Sequence, residues 1–301
     1  MNGLLIVNKP RGITSHDAVD RARRLLGVRR IGHTGILDPI ATGVLPLCVG
    51  RATRLSQFIL AEHKTYEGIF RLGWATTTYD ADGEPVGERK TPNVTQEQVE
   101  ETFALFRGKI QQIPPMFSAK KVGGKKLYEL AREGKEVERK PVDVEIFELR
   151  VLSFDGDRVG FRMRCSSGAY VRNVAHDTGQ KLGCGGHVES LARTAVGLMT
   201  LDQAVSLDEL TRESAAGHVI PMEKIPLDMP FIRITRAGLA HLRHGQPLDR
   251  SVILPAPPGE AQGESGGGRP VRVLGPEGEL VAIAERRAAA FFQPRVVLLA
   301  S

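Results

Sequence analysis

The stretch Gly32-His33-Thr34-Gly35-Ile36-Leu37-Asp38-Pro39-Ile40-Ala41-Thr42-Gly43 concentrates residue types that can do chemistry. Three glycines, a proline and four polar side chains in twelve residues are incompatible with a regular helix or strand. Pro39 biases Asp38 away from the right-handed helical region, so its carboxylate sits on extended or turn backbone. The glycines permit close approach of a ligand or of another backbone. A carboxylate fixed on a loop between ordered elements can act as a nucleophile or a general base. A second cluster is Ser166-Ser167-Gly168-Ala169-Tyr170-Val171-Arg172, where a strand ends and a helix opens. Tyr170 and Arg172 are two apart, share a face of extended chain, and can point into one cleft. Read alone, each cluster also has a plain explanation: an Asp-Pro turn, and a packed Tyr beside a solvated Arg.

Weaker signals fall away on inspection. Gly123-Gly124-Lys125-Lys126 lacks the spacing and hydroxyl residue of a phosphate loop. Asp80-Ala81-Asp82-Gly83 begins like a calcium loop, but the ligand series does not continue. Cys184 and His187 have a metal-like spacing without a second ligand pair, so no metal site is expected. His33, Asp38 and a serine could imitate a hydrolase triad, yet no serine lies in a nucleophile-elbow pattern.

The surrounding elements read as follows. Residues 4–8 form a short buried strand stopped at Lys9-Pro10. Ser15 caps a helix whose apolar face is Ala18, Val19, Ala22, Leu25 and Leu26, ended by Gly27. A second helix covers 52–62. Tyr66, Gly68, Phe70, Leu72 and Trp74 alternate as one face of a strand. Val99, Phe103 and Phe106 lie at helical spacing. Strands return at 142–146 and 149–152, with a phase switch between Ile146 and Leu149 that marks a bulge. Another strand holds Val159, Phe161, Met163 and Cys165, and a helix runs from Val171 to near Gly183. Strands and helices mix without regular βαβ alternation, which predicts an α+β domain with a largely antiparallel sheet flanked by helices. This domain spans 1–225. A proline-bearing linker leads to a small β module, 231–301, with a flexible Gly/Pro-rich loop at 255–270.

The 301 residues fit about two domains, and 41% hydrophobic with 25% charged residues is ordinary for a folded chain. No apolar run is long enough to span a bilayer, and no signal core opens the sequence. Three cysteines without paired spacing suit a reducing, cytoplasmic compartment. The net charge is +6. Positive residues cluster between Lys9 and Arg30 and again at 118–140, where Lys120, Lys121, Lys125 and Lys126 are found. Two such segments favour a phosphate-backbone partner over a membrane. The tail 231–301 carries nine Arg, no Lys and six acids.

Several segments recur in a telling order: Lys9-Pro10-Arg11-Gly12-Ile13-Thr14-Ser15, Gly32 through Pro39, Lys64-Thr65-Tyr66, Ile113 through Lys120, and Gly168 through Arg172. Gly183-Cys184-Gly185-Gly186-His187 follows, then Leu191 and Arg193. Taken in this order, they resemble the bacterial tRNA pseudouridine synthase B family. The match covers about the first 210 residues, and the tail resembles that family's PUA domain, an RNA-binding β-barrel, more weakly. The resemblance implies an isomerase that converts the T-loop uridine of tRNA (position 55) to pseudouridine: the uracil is detached at N1, turned and rejoined through C5, without cofactor. It implies Asp38 as the catalytic carboxylate, Tyr66 as the base-stacking ring, and Tyr170 and Arg172 as their partners. It implies His33 as a holder of the flipped nucleotide and Leu191 as an apolar wall. Lys9, Asp80, Lys120, Lys121, Lys125 and Lys126 are expected to bind substrate or RNA. The segment 118–140 resembles an insertion that closes on the T stem-loop, and the C-terminal module is expected to reach the acceptor end. A monomer without an obligate protein partner is expected. Thr77 departs from the family, which often has an acid there.

Such chemistry is physically coherent. A stacked base must be extruded and satisfied in a pocket, and an aromatic face offers about 1–3 kcal/mol of stacking. A carboxylate in a closed pocket needs a fixed cation to keep its charge, and a guanidinium tolerates burial better than an ammonium does. Tyr170 is the expected base for the C5 proton.

Overall fold

The N-terminal apolar run forms β1 (Gly3–Lys9), buried along nearly its whole length in this computed structural model. The structure describes residues 1–255, 270–288 and 291–299. Helix α1 (Ser15–Leu26) follows, but its cap is Thr14 and not Ser15. Thr14 Oγ1 accepts from Asp17 N, and the Asp17 carboxylate accepts from Thr14 N at 2.8 Å, a reciprocal capping box. Ser15 is unavailable as a cap because its hydroxyl bonds both backbone groups of Leu37. Gly27, at φ 64°, closes the helix.

Next come β2 (Ile31–His33) and β3 (Thr42–Val49), so the irregular loop is 34–41, shorter at both ends than the 32–43 expected. A 3₁₀ turn and α2 (Ser56–Ala61) replace the single expected helix. Then follow β4 (Lys64–Leu72), the small hairpin β5 (Ala75–Thr76) and β6 (Pro85–Val86), α3 (Gln96–Ala104), and β7 (Gly108–Gln112). The basic segment holds a hairpin, β8 (Lys121–Val122) and β9 (Lys125–Lys126), and α4 (Leu127–Arg132), anchored by buried Leu127 and Leu130. β10 (Val142–Asp155), β11 (Arg158–Cys165), α5 (Val171–Lys181) and β12 (Gly186–Val196) complete the centre. The expected bulge is present: the pairing of β10 with β11 shifts register between Ile146 and Glu148.

With the short strands β13 (Met199–Thr200), β14 (Val205–Ser206) and β15 (Ile220–Pro221), these build one mixed sheet in the order β14-β1-β3-β12-β4-β11-β10-β7. β2 lies on β3, β13 on β12, and β15 on β1. The β1–β14 and β3–β12 pairs are parallel and the others antiparallel, in line with the α+β expectation. One face packs Phe70, Phe161 and Met163 against α3 and α5 residues such as Phe103 and Val174. Another core layer packs α1 through Ala18, Val19 and Ala22 against Leu5, Val7, Leu45 and Leu47.

The C-terminal part contains β16 (Phe231–Arg233), α6 (Arg236–Arg243), β17 (Pro270–Leu274), β18 (Leu280–Ala288) and β19 (Phe291–Val297). Among the described residues these strands form an open four-stranded sheet, β16-β17-β18-β19, and no closed barrel. Two isolated bridges, Ile234 to Ile253 and Leu248 to Phe292, extend it. All but the two ends of the expected loop at 255–270 lies outside the described residues. One face of this sheet makes its own core with Leu242, Leu248, Val271 and Phe292. The other packs Leu280, Ile283, Val296 and Leu298 against Leu4, Ile6 and Val44 of the main sheet. Arg51 Nη1 also donates to Leu298 O at 3.0 Å, so the two parts share a core as well as a linker.

Candidate active site

The loop 34–41 is fixed from three sides. Ser15 Oγ accepts from Leu37 N at 2.8 Å and donates to Leu37 O at 3.1 Å. Gly12 N donates to Pro39 O at 2.8 Å, and Ala41 N closes a turn on Asp38 O at 3.0 Å. From β12, the buried Arg193 donates Nε to Val44 O at 2.8 Å and Nη1 to Ile36 O at 3.2 Å. The crossing of β3 and β12 needs glycine at 43: a Cβ there would lie 2.2 Å from Arg193 O, at φ 107°. Asp38 is therefore held by backbone bonds on both flanks.

Arg172 opens α5 and meets this loop. Its Nε stands 2.9 Å from Asp38 Oδ2 in an ion pair, and its Nη2 donates to Asp38 Oδ1 at 3.3 Å. Nη1 reaches Thr78 O at 3.0 Å and Asp80 Oδ2 at 3.4 Å, and Nη2 reaches Phe117 O at 2.8 Å. Five oxygens thus surround the fork, three in hydrogen bonds and two in ion-pair contact. The Arg172 side chain is 6% exposed and that of Asp80 7%, whereas Asp38 keeps 32%. A buried guanidinium is tolerated because two carboxylates balance its charge and three hydrogen bonds engage its donors. Burial raises the Asp80 pKa, opposed by the Thr78 hydroxyl and by Arg172. The open edge of the network is the Asp38 carboxylate, which faces a cavity.

That cavity has a volume of about 430 Å³, within the range of small-ligand sites. His33, Asp38, Lys64, Tyr66, Tyr170 and Leu191 line it, with Lys120 at one side. Tyr66 on β4 and Arg193 on β12 are register partners. Burial raises the Tyr66 pKa, and the neighbouring Arg193 guanidinium acts the other way. Tyr170 is positioned through its backbone, where Gln112 both accepts from its N at 2.8 Å and donates to its O at 3.2 Å. Burial raises the Tyr170 pKa too, with the Ser118 hydroxyl beside the phenol and short of a full hydrogen bond. Burial lowers the His33 pKa, and its Nδ1 makes no hydrogen bond among the described residues.

The expected site residues thus come together with one exception and one group set apart. Lys9, expected on the RNA face, is fully buried. Its ammonium donates to Pro10 O at 2.8 Å and Ile13 O at 2.9 Å, and burial lowers its pKa to about 8. The basic cluster in the sequence misplaces it because charge runs carry no information on burial. Lys121, Lys125 and Lys126 sit on the β8–β9 hairpin, not in the cavity. Lys125 faces Glu133 at 3.5 Å, and Lys126 donates to Tyr128 Oη at 3.1 Å. The Thr77 hydroxyl accepts from Glu84 N. Arg193, Lys64 and Ser15 belong to the site as well, and sequence reasoning misses them. Arg193 and Lys64 stand in the motifs as conspicuous charges, but nothing local marks them as buried. Lys64 spends its ammonium on the carbonyls of Leu60 and Glu62, the latter at 2.6 Å.

Known proteins share this chain's sequence pattern and fold. Residues 23–171 match the TruB family pseudouridylate synthase N-terminal domain, and residues 172–225 match the tRNA pseudouridylate synthase B C-terminal domain. The chain is 42% identical over 302 residues to tRNA pseudouridine synthase B of Solibacter usitatus, covering 99% of this chain and all of that one. It is 43% identical over 281 residues to the protein of the same name from Geobacillus thermodenitrificans, covering 87% and 93% of the two chains. Among solved structures, a Cbf5–Nop10–Gar1 complex contains a chain with the same fold, at TM-score 0.74 and 24% identity over 99% of this chain and 85% of that one. By sequence and fold, the chain belongs to the TruB family of pseudouridylate synthases.

Proposed function

We propose that this protein isomerises uridine to pseudouridine in tRNA, acting on the T-loop uridine at position 55, with Asp38 as the essential carboxylate. The observation that carries the reading is the Asp38–Arg172 pair at the edge of an aromatic-lined cavity, in a chain of this family. The N1–C1′ bond of the nucleotide breaks, the uracil turns, and a C5–C1′ bond forms. C5 gives up its proton and N1 gains one, so no electrons are exchanged and no cofactor is consumed. Tyr66 offers the extruded base a stacking face, worth about 1–3 kcal/mol against the cost of unstacking. His33 and Leu191 bound the same space. Asp38 meets the sugar or the base as nucleophile or base, and Arg172 keeps it aimed. Tyr170 fits less well as the C5 base, because burial opposes the phenolate that role needs. Lys9 serves as a positioning residue, tying the turn after β1 beside the Asp38 loop.

Pseudouridine-specific mapping of a tRNA transcript after incubation tests the reading: a single modified site at position 55 is expected, and an unmodified transcript would refute it. The basic hairpin is the proposed clamp on the T stem-loop, and the Arg-rich tail the proposed partner of the acceptor end. Replacing Lys120, Lys121, Lys125 and Lys126 together by Gln should raise KM by about tenfold or more with little change in kcat. The log–log salt slope of RNA binding should flatten by roughly one for each phosphate no longer neutralised. An unchanged KM and slope would remove the hairpin from the RNA interface. Among the described residues no helix is long and apolar enough to cross a membrane.

A further inference from the structure

Tyr79 is the one non-glycine residue at positive φ, 64°, among the described residues. A bulky side chain enters this region only when its surroundings enforce it, and such residues gather at functional sites. Its two neighbours in the chain both hold Arg172: Thr78 through its carbonyl at 3.0 Å and Asp80 through its carboxylate at 3.4 Å. The conformation at Tyr79 therefore decides whether these two groups face the guanidinium together.

The Tyr79 ring stacks on His176, with centroids 3.9 Å apart and planes 17° apart. His176 lies four residues after Arg172 on α5, so the two side chains leave the helix on the same face, one turn apart. His176 Nδ1 is buried and makes no hydrogen bond among the described residues, so the stack, and not a polar contact at that atom, fixes the ring. One face of α5 thus grips the 78–80 turn at two points, at Arg172 and at His176. The turn is also stitched to β12, where Val188 N donates to Tyr79 O at 3.0 Å and Ala81 N to Val188 O at 2.9 Å.

We propose that the Tyr79–His176 stack is a positioning device that sets the Arg172 guanidinium on Asp38. Neither ring lines the cavity, so both act through Arg172 and not on the substrate. The kinetic consequence rests on the isomerase reading above, whereas the structural one does not. If the β12 backbone bonds alone held the turn, removing either ring would leave Arg172 in place.

The test is a double-mutant cycle of Tyr79→Ala and His176→Ala in the full-length protein, with Tyr79→Phe as the conservative variant. Each alanine variant should lower kcat by about tenfold, with KM and RNA affinity within about twofold of wild type, since a small misplacement of a reacting group is costly. The double variant should lose no more than either single one, because the rings act as a unit. Tyr79→Phe should keep kcat within about twofold of wild type, since the stack needs the ring and not the hydroxyl. In parallel, the Arg172 Nε–H resonance should be protected from exchange in wild type and in Tyr79→Phe, and lose that protection in both alanine variants. Losses that multiply to about a hundredfold, a Tyr79→Phe as damaged as Tyr79→Ala, or an unchanged Arg172 resonance would each overturn the proposal. An inactive wild type would instead count against the isomerase reading and leave the resonance to decide this one.

Discussion

Asp38→Asn is expected to lower uridine isomerisation by about four orders of magnitude or more, while RNA affinity stays within a few-fold of wild type. The substitution keeps the size and planarity of the side chain. It removes the charge and the nucleophilic or basic oxygen, and turns an amide N–H₂ toward Arg172 donors that otherwise meet an acceptor. The backbone bonds that hold the loop, from Ser15, Gly12 and Arg193, do not involve the carboxylate. Binding therefore survives while chemistry does not. Single-turnover rates beside a filter-binding titration separate the two. A variant that keeps more than about one per cent of the rate would deny Asp38 its role.

Arg172→Met should have the second largest effect, and a different one. It removes five donors at once from Asp38, Asp80 and the carbonyls of Thr78 and Phe117. Two carboxylates are then left facing each other, one of them almost fully buried. Breaking a buried pair in this way costs about 3–5 kcal/mol of stability. Loss of the fixed cation should lower the rate by about 10²–10³-fold or more. Denaturant melts and single-turnover kinetics report each part. The stability deficit should narrow as pH falls. Burial already raises the Asp80 pKa, so the folded state takes up a proton that the unfolded state binds less readily. Adding Asp80→Asn to Arg172→Met should restore part of the stability and none of the rate. Arg172→Lys should not rescue the rate, because an ammonium cannot span both carboxylates and both carbonyls. Equal stability of wild type and Arg172→Met would mean the network is not the keystone described here.

Much of this arrangement is legible in the sequence wherever local pattern and burial coincide. The alternation from Tyr66 to Leu72 gives β4, helical spacing gives α1, α3 and α5, and the phase switch after Ile146 gives the bulge in β10. The two strands that frame the site, β3 and β12, escape such reading. β3 is apolar on both faces and carries Pro46, so it lacks alternation and bears a residue that argues against a central strand. β12 mixes Ser190, Arg193 and Thr194 with apolar residues, and only its pairing with β4 and β3 makes it central. The C-terminal strands are legible as strands, but their closure into a barrel is not formed among the described residues.

The site divides in the same way. Asp38 and Arg172 stand out because Asp-Pro and a strand–helix junction restrict the backbone locally. Their supports do not stand out. Arg193 stands in a motif with no role attached, and only the structure shows its donors meeting the carbonyls of Val44 and Ile36. Lys9 reads as an RNA-binding residue until its ammonium is found on Pro10 and Ile13. In both cases long-range burial, which no local pattern encodes, decides what the charge does.

If the cavity at Asp38 exchanges the N1 attachment of a tRNA uracil for a C5 attachment, the hydrogen on C5 must leave. Release of tritium from a tRNA transcript labelled at uracil C5 reports that step, with the wild-type protein in EDTA and without added cofactor. One equivalent of tritium per transcript should be released, and none from a transcript with cytidine at position 55. Absence of release from a transcript that the protein demonstrably binds would refute isomerisation at Asp38.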